Sequence, residues 1–325
     1  MGDKRNPRIV CFGGGSALPK VVLEELKKYP VKITSVTSML ESGGSTGQLR
    51  KNFNILPPGD ISRHLIALSK APQWKKSLFY FRFGKEKFPG GHIGHRFGTV
   101  FIALLEYLLK DFEKANKITH EFLEIKNHQA LPATLQKTNL FATLENNQII
   151  KGEDEIDIPK KHNPKLKIKK VFLGPPVKAY SETIKAIKKS DFIIIGPGDI
   201  YSSLIPCFLP KGIKETIAKS RAKKIYICNI MTKLGESNNF SVKDFTKEIE
   251  KYIGCSFDFV LYNNKIPDKN RLKRYKKEEH LFLDLVKTEE LDGKKFIGRN
   301  LLIKKGPLLH DSKKVVNILL KLCKL

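Results

Sequence analysis

The sequence predicts an α/β protein with a Rossmann-like, doubly wound and mostly parallel sheet that carries a β-hairpin insertion. Strand and helix signals alternate along the chain, which is typical of parallel strands connected through helices. The segment "DFIIIGPGD" (residues 191–199) is continuously apolar before its glycines, as expected for a central strand covered on both faces. The pair Asn146-Asn147 lies between two alternating runs and predicts the hairpin turn, because asparagine tolerates a positive φ.

The remaining elements follow from apolar runs that end at glycine, proline or polar turns. In the first half, the predicted elements are a strand over residues 8–12, a helix over 19–29, a strand over 32–39, a glycine-rich loop over 40–50, a helix after residue 60 and helical segments within 96–125. In the second half, they are the hairpin over 138–158, strands over 168–174, 191–195, 223–231 and 257–264, helices over 181–190 and 241–254, a closing strand over 299–305 and a closing helix over 313–325.

Length and composition set the class of the protein. With 325 residues, 41% of them apolar, the chain can bury a sizeable core, and we expect one α/β domain over residues 1–325. Its first residues carry charge without an apolar signal-peptide core, and the most apolar helical run is interrupted by Glu106, Lys110 and Asp111. We therefore expect a cytoplasmic protein without a membrane span. The five cysteines are scattered without a Cys-x-x-Cys pair, which argues against a zinc or disulfide pattern.

The formal net charge of +27 raises the question of a nucleic-acid partner. The excess is almost entirely lysine spread along the chain, and aromatic residues are not interleaved with the basic runs. Specific nucleic-acid binding normally clusters its charge and uses arginine. We therefore expect no specific nucleic-acid partner, only a weak and salt-sensitive attraction to polyanions.

Loops of glycine, serine, asparagine and aspartate follow several of the predicted strands. Their sequences include "FGGG", "SGGS", "GPGD", "CNIMT" and "YNN". Carboxyl ends of parallel strands meet at one edge of the sheet, where open α/β proteins bind their ligands. Glycine lets a phosphate approach the backbone, and a helix N-terminus offers free N–H groups. These loops therefore predict a phosphate-bearing ligand.

Neither glycine loop matches a phosphate-binding fingerprint by itself. The first, "GGGSALPK", is no P-loop and has Leu18 where the dinucleotide fingerprint has glycine, so a tight strand–helix turn stays open as an alternative. In the second region, Asp60 is either a helix N-cap or a group that orients a ribose or a metal-bound phosphate. His92 and His95 lack further ligands for a metal, so we interpret them as a helix start or a polar ligand contact. No nucleophilic triad is visible, and catalytic residues stay unassigned.

Six motifs point together to a known family. The segments "GGGSALPKVVLEEL", "SGGSTGQLR", "LPPGDISR", "GHRFGTVFIALL", "GPGDIYSSLIPCFL" and "CNIMTKLGE" resemble, in the same order, the gluconeogenesis factor family. That family shares its fold with the CofD-like 2-phospho-L-lactate transferases. The resemblance covers residues 8–320 and implies a Rossmann-like fold.

The resemblance also implies a function. It implies a nucleotide-sugar-binding protein of the UDP-N-acetylglucosamine type that supports cell shape and wall synthesis on gluconeogenic carbon sources, and we interpret the chain as such a regulator. The alternative is a Mg²⁺-dependent transferase that moves a phospholactyl group from a nucleotide-activated donor to a flavin-like acceptor. The acidic pair of many relatives is reduced here to Glu41-Ser42, which favours the regulator. Self-association into a homo-oligomer is compatible with both.

Several positions depart from the pattern of the family, among them Ser16-Ala17 in place of Thr-Gly and Thr99 in place of the asparagine of "GHSxGN". Glu41 stands where relatives usually have aspartate, Arg96 replaces the serine of "GHSxGN", and Asp199 replaces a usual serine. A carboxylate at residue 199 would repel a phosphate unless Mg²⁺ or a lysine intervenes. No metal ligands are assigned, and Mg²⁺ is the cofactor that the transferase alternative would use. Carried over residue by residue, the predicted nucleotide- and phosphate-binding residues are Gly13, Gly14, Gly15, Ser16, Glu41, Ser42, Gly43, Gly44, Arg50, Asp60, Gly196, Gly198, Asp199, Ser202, Asn229 and Arg274.

Overall fold

The computed structural model describes residues 5–84, 94–279, 281–288 and 291–325. A sheet of seven strands runs through its centre, and the described strand pairings in it are parallel. A three-stranded and a two-stranded antiparallel sheet accompany it. The central strands, in spatial order, are β12 (Phe296–Arg299), β10 (Phe259–Asn263), β8 (Lys223–Ile227), β7 (Phe192–Ile195), β1 (Arg8–Phe12), β2 (Lys32–Thr37) and β3 (Gln129–Pro132).

The strand order reverses between β1 and β7. On one side of β1 lie β2 and β3, whereas β7, β8, β10 and β12 follow in order on the other side. Phe12 at the end of β1 pairs with Ile195 at the end of β7, so the loops that leave these strands begin side by side. In open α/β sheets such a reversal opens a crevice at the carboxyl edge, where ligands bind. The predicted doubly wound, parallel sheet is therefore confirmed.

Helices cover both faces of the sheet, which explains why its central strands are apolar on both sides. On β7, Ile193 and Ile195 pack into one buried cluster and Ile194 into the other. Within the described ranges, none of the helices combines the length and apolar character needed to cross a membrane. The helices are α1 (Glu24–Leu26, which continues a π-helical turn over Pro19–Leu23), α2 (Gly44–Phe53), α3 (Gly59–Leu68), α4 (Gln73–Tyr80), α5 (Phe97–Leu109), α6 (Phe112–Phe122), α7 (Glu153–Asp157), α8 (Ser181–Lys188), α9 (Ile213–Lys219), α10 (Val242–Ile253), α11 (Lys269–Glu278) and α12 (Ser312–Cys323), with a π-helical turn (Ile200–Leu204) and a 3-10 turn (Ile205–Phe208) between β7 and α9.

The predicted hairpin insertion is present as part of a three-stranded antiparallel sheet. β4 (Asn139–Leu144) pairs with β5 (Ile149–Lys151) across the turn and with β6 (Ile168–Gly174) on its other side. Asn147 has a φ of +68°, as the asparagine pair predicts. α7 follows β5 directly, so the hairpin continues into an acidic turn of helix. The remaining strands, β9 (Met231–Lys233) and β11 (Phe282–Leu285), pair with each other.

Several predicted boundaries are wrong, and β3, β9 and β11 are missing from the predicted set; the predicted strand over 223–231, for example, ends at Ile227. Residues 40–50 are not all loop, because α2 begins at Gly44 and two of the glycines lie in its first turn. The closing strand is Phe296–Arg299 instead of 299–305, since the leucines of "LLI" are buried in the core without joining the sheet. β3 escapes prediction because it has only four residues and ends in proline.

Candidate functional site

The loops after β1 and β7 lie against each other at the carboxyl edge of the sheet. A Cβ added to Gly14 would lie 2.8 Å from the Ser203 hydroxyl oxygen, and one added to Gly15 would lie 2.5 Å from a carboxylate oxygen of Asp60. Neither position has room for a side chain, so glycine allows the β7 loop and the start of α3 to approach the backbone here. The predicted residues Gly13–Ser16 and Asp60 therefore come together in the fold.

A buried histidine holds the first glycine loop. His64 on α3 is 0% exposed, and its Nε2 lies 3.2 Å from the Gly14 carbonyl oxygen. Burial lowers the pKa of His64 to about 4, so the ring is neutral at neutral pH. With its proton on Nε2, the ring donates to this carbonyl. His64 was missing from the predicted site, because a single histidine in an apolar helix gives no sequence signal for such a contact.

The Arg63 guanidinium lies beside the first glycine loop. Arg63 Nη1 donates to the Ser16 hydroxyl at 3.2 Å and lies 3.5 Å from Asp60. Burial, and then the positive charges of Arg63 and Arg82, lower the pKa of Arg96, so Arg96 lies within electrostatic reach of both. A guanidinium beside a glycine loop is typical of an anion site. Arg63 was not predicted, although its position three residues after Asp60 puts both on one helix face.

Three carboxylates crowd the start of α3. Glu41 Oε2 accepts a hydrogen bond from the Asp60 backbone N–H at 2.8 Å. Burial, and then the Asp60 carboxylate, raise the pKa of Glu41 to about 8. Burial, and then the carboxylates of Glu41 and Asp60, raise the pKa of Glu153 to about 9. The sequence predicted Glu41 and Asp60 as neighbours in one site, but it gave no signal for Glu153, which comes from the insertion.

The insertion reaches the second glycine loop through α7. Asp154 accepts a short hydrogen bond from the Ser42 hydroxyl, and its own backbone N–H donates to that oxygen at 3.2 Å. The Ser42 backbone N–H lies 3.4 Å from a carboxylate oxygen of Glu153. A Cβ on Gly43 would lie 2.6 Å from the Asp154 Cβ. The predicted residues Ser42 and Gly43 are therefore packed against an acidic helical turn.

A buried lysine lies beside the predicted residue Asp199. The Lys233 ammonium lies 2.8 Å from Asp199 and 3.1 Å from Glu236, and it also contacts Asp157. Burial alone would lower the pKa of Lys233, but the three carboxylates outweigh this effect and hold that pKa above its usual range. A permanently charged lysine therefore accompanies the Asp199 carboxylate.

Two of the predicted residues are engaged within the protein. The Arg50 guanidinium donates to the Thr138 carbonyl oxygen and to the Asn139 side chain, so it ties α2 to the start of β4. Ser202 is 2% exposed and donates its hydroxyl to Glu236 at 2.8 Å. Both side chains stabilise the walls of the crevice. Their contact with a ligand stays a prediction.

The β7 loop has few free N–H groups for a phosphate. The Gly196 N–H donates to the Phe12 carbonyl oxygen at 2.9 Å, and residue 197 is proline. The Gly198 N–H donates to the Asn229 side-chain oxygen at 3.2 Å. A phosphate held by Gly198 would therefore have to displace the Asn229 side chain. In the first glycine loop the Gly13 N–H also donates, to the Val36 carbonyl oxygen at 3.2 Å, so the part of that loop from Gly14 to Ser16 is the better candidate for the anion.

Two further predicted residues, Gly44 and Arg274, are exposed. Gly44 has a φ of +55° at the start of α2, and Arg274 lies on α11. His95 Nδ1 lies 2.6 Å from the Ser45 hydroxyl oxygen, which connects the entry of α5 to α2. His92 lies outside the described residues.

Comparison with known proteins identifies the family. Residues 9–302 match the sequence profile described as 2-phospho-L-lactate transferase CofD. The chain belongs to the CofD family. A crystal structure of a UPF0052-family protein from Bacillus halodurans superimposes on this CofD-family chain with a TM-score of 0.86. The two are 33% identical, and the superposition covers 97% of this chain and 99% of the other.

Proteins named gluconeogenesis factor are similar to this CofD-family chain. One from Bacillus subtilis strain 168 is 36% identical over 331 residues and covers 100% of both chains. One from Listeria innocua is 37% identical over 265 residues, which are 81% of this chain and 79% of the relative. The resemblance to gluconeogenesis factors and to CofD-like transferases is therefore confirmed.

Two acidic groups of this CofD-family chain bear on the Mg²⁺ that the transferase resemblance implies. Glu41, Asp60 and Glu153 offer hard oxygen donors, but their oxygens do not all lie within 4.8 Å of one another, and burial more than mutual repulsion raises the pKa values of Glu41 and Glu153, so this group does not form a ready Mg²⁺ site. The second acidic group, around Asp199, already contains the Lys233 ammonium.

Proposed function

We propose that the protein is a gluconeogenesis factor whose ligand is a nucleotide-sugar, UDP-N-acetylglucosamine or a close analogue. The observation that carries the proposal is the meeting of the Gly13–Ser16 loop, the start of α3 and the Arg63 guanidinium where the strand order reverses. Backbone N–H groups at such a loop and a nearby guanidinium suit the oxygens of a diphosphate.

The uneven charge of the crevice supports a nucleotide-sugar over a nucleoside triphosphate. Arg63 lies at the first glycine loop, whereas Asp199 and Asp157 lie beside the β7 loop with side chains 26% and 32% exposed. Carboxylates accept hydrogen bonds from the hydroxyl groups of ribose and sugar rings. The same carboxylates would repel an additional phosphate.

The proposed role is regulatory and cytoplasmic. A protein that binds a wall precursor can report its concentration, and so adjust wall synthesis and cell shape when cells grow on gluconeogenic carbon. The names of relatives that match the chain over most of its length support a role in gluconeogenic growth.

Calorimetric titration tests the ligand, with UDP-N-acetylglucosamine, UDP-glucose, GDP and ATP compared at equal salt. We expect the UDP-sugars to bind most tightly. Gly15→Ala should remove binding, because its Cβ would lie 2.8 Å from the backbone Cα of Asp60. Gly293→Ala is the matched control, since an added Cβ there meets nothing within 4 Å. No binding of any of these nucleotides at millimolar concentration would rule the proposal out.

A second candidate function is transfer of a phospholactyl group. The match of residues 9–302 to the family described as 2-phospho-L-lactate transferase CofD favours it. In such a reaction, Mg²⁺ would neutralise charge on the phosphates of a nucleotide-activated donor. The test combines the protein, Mg²⁺, a GDP-activated phospholactate donor and a deazaflavin acceptor. Turnover that is lost in Glu41→Gln would make the protein an enzyme, whereas UDP-sugar binding without turnover supports the regulator.

A further inference from the structure

The Lys233 ammonium lies among three carboxylates that come from three different parts of the fold. Asp157 ends α7 of the insertion, Asp199 lies in the loop after β7, and Glu236 follows β9. The Lys233 side chain is only 5% exposed, so its charge is compensated by these groups and not by solvent. One cation therefore connects the insertion to the carboxyl edge of the central sheet.

The three carboxylates have the spacing of a metal-ligand set. One oxygen from each of Asp157, Asp199 and Glu236 lies within 4.8 Å of the other two, the one group of three or more His, Cys, Asp or Glu side chains with this spacing within the described ranges. Divalent cations such as Mg²⁺ and Mn²⁺ prefer oxygen donors of this kind. In this chain, the ammonium nitrogen of Lys233 lies where such donors would meet a cation, 2.8 Å from Asp199 and 3.1 Å from Glu236.

The orientation of Glu236 does not depend on Lys233 alone. Its Oε2 accepts from the backbone N–H groups of Tyr201 at 2.8 Å and Ser202 at 3.1 Å, and its Oε1 accepts from the Ser202 hydroxyl. The first turn after β7 therefore holds this carboxylate in place. Removal of the ammonium would leave at least one preformed ligand.

We propose that Lys233 is a built-in replacement for a divalent cation, and that the triad of Asp157, Asp199 and Glu236 becomes a divalent-cation site when Lys233 is removed. A lysine is always present, whereas a bound metal depends on its free concentration. The insertion therefore stays attached to the β7 loop at any divalent-cation concentration. This inference is independent of the proposed function, because it concerns the protein without its nucleotide.

Mn²⁺ alone is the probe, with its binding followed by electron paramagnetic resonance and calorimetry on the full chain. We expect Lys233→Met to bind one Mn²⁺ more per chain than the wild type. That additional binding should weaken at least about tenfold when Asp199→Asn is added to Lys233→Met, because the site then loses a charged ligand. Lys224→Met is the matched control, since Lys224 is also buried but donates its ammonium to the Ser220 carbonyl.

The results decide whether Lys233 takes the place of a divalent cation or is only a buried ion-pair partner. The proposal is supported if Lys233→Met has an additional Mn²⁺ site and that site needs Asp199. It is also supported if circular dichroism shows that the variant folds only when Mn²⁺ fills this site. The proposal is wrong if folded Lys233→Met binds no more Mn²⁺ than the wild type, or if the variant stays unfolded in excess Mn²⁺. Wild-type Mn²⁺ binding that Asp199→Asn removes would equally overturn it. Each protein is also measured with Glu41→Gln, so that Mn²⁺ bound by the acidic group at the start of α3 is not counted as binding at the Lys233 site.

Discussion

At the scale of the residue, the candidate site combines positions that local sequence can indicate with positions that it cannot. Gly14 and Gly15 were predictable, because consecutive glycines between a strand and a helix indicate a place where another group approaches the backbone closely. Arg63 and His64 were not predictable in the same way. Each is an ordinary helix residue, and only the packing of α3 under the first glycine loop gives it a polar partner there.

His64 should position the Gly14 carbonyl, and so the loop that would hold the ligand. We expect His64→Phe to weaken nucleotide-sugar binding about tenfold and to cost about 1–2 kcal/mol of stability, because the buried carbonyl loses its donor. His64→Gln keeps an N–H donor of similar reach, so it should retain most of the nucleotide-sugar affinity and most of the stability. Titration calorimetry and urea unfolding measure the two effects. Equal losses in both variants would show that the ring volume, and not the hydrogen bond, is what matters.

His128 predicts how stability depends on pH. Its Nδ1 accepts from the Ile33 N–H at 3.2 Å, and burial, followed by the charges of Lys70 and Lys27, lowers the pKa of His128 to about 4. The unfolded chain takes up this proton near pH 6.5, so it binds more protons than the folded chain between these values. Stability should therefore fall as the pH drops from about 6.5 to 4.

The measurement for His128 is urea unfolding at pH 7.5 and pH 5. The side-chain oxygen of His128→Asn can accept the same N–H. Between pH 7.5 and pH 5, we expect the unfolding free energy of this variant to fall by about 1–2 kcal/mol less than that of the wild type. The other buried histidines leave a common slope in both proteins. An identical pH slope in the variant would contradict the assignment.

At the scale of the element, boundaries were less predictable than the presence of strands and helices. The hairpin was predicted from alternation and an asparagine pair, yet nothing local showed that α7 packs on the second glycine loop. The contact joins Ser42 to Asp154, 112 positions apart, and depends on how the insertion folds back. α2 was not predicted, because the glycines at its N-terminus indicated a loop.

The hairpin turn supplies a prediction at this scale. Asn147 has a φ of +68°, a left-handed conformation that costs a residue with a Cβ about 1 kcal/mol unless its side chain helps. Asn147→Ala should therefore lower the unfolding free energy by about 1 kcal/mol, whereas Asn147→Gly should be close to neutral. Thermal unfolding of the wild type, Asn147→Ala and Asn147→Gly measures these differences in stability. A glycine variant as unstable as the alanine variant would mean that the turn does not keep this conformation.

At the scale of the whole molecule, the alternation of strands and helices was enough to predict a parallel sheet, and the loops after the strands were enough to predict a site at its carboxyl edge. The position of the crevice needed the strand order, which places β1 beside β7 although about 180 residues separate them. Long-range pairing of this kind leaves no periodic signal in the sequence. The same is true of Lys233 and Glu153, which reach the site from β9 and α7.

The net charge of +27 gives the prediction that concerns the molecule as a whole. Lysines spread over the surface attract any polyanion through released counterions, so duplex DNA should bind weakly and lose at least about tenfold in affinity between 50 and 200 mM salt. A nucleotide-sugar in the crevice is held by short contacts that salt screens less, and its affinity should change by less than about threefold over that range. Fluorescence anisotropy with a labelled duplex, beside calorimetry with UDP-N-acetylglucosamine, compares the two. DNA binding that persists at 200 mM salt and prefers one sequence would contradict the expectation that the charge serves no specific nucleic-acid partner.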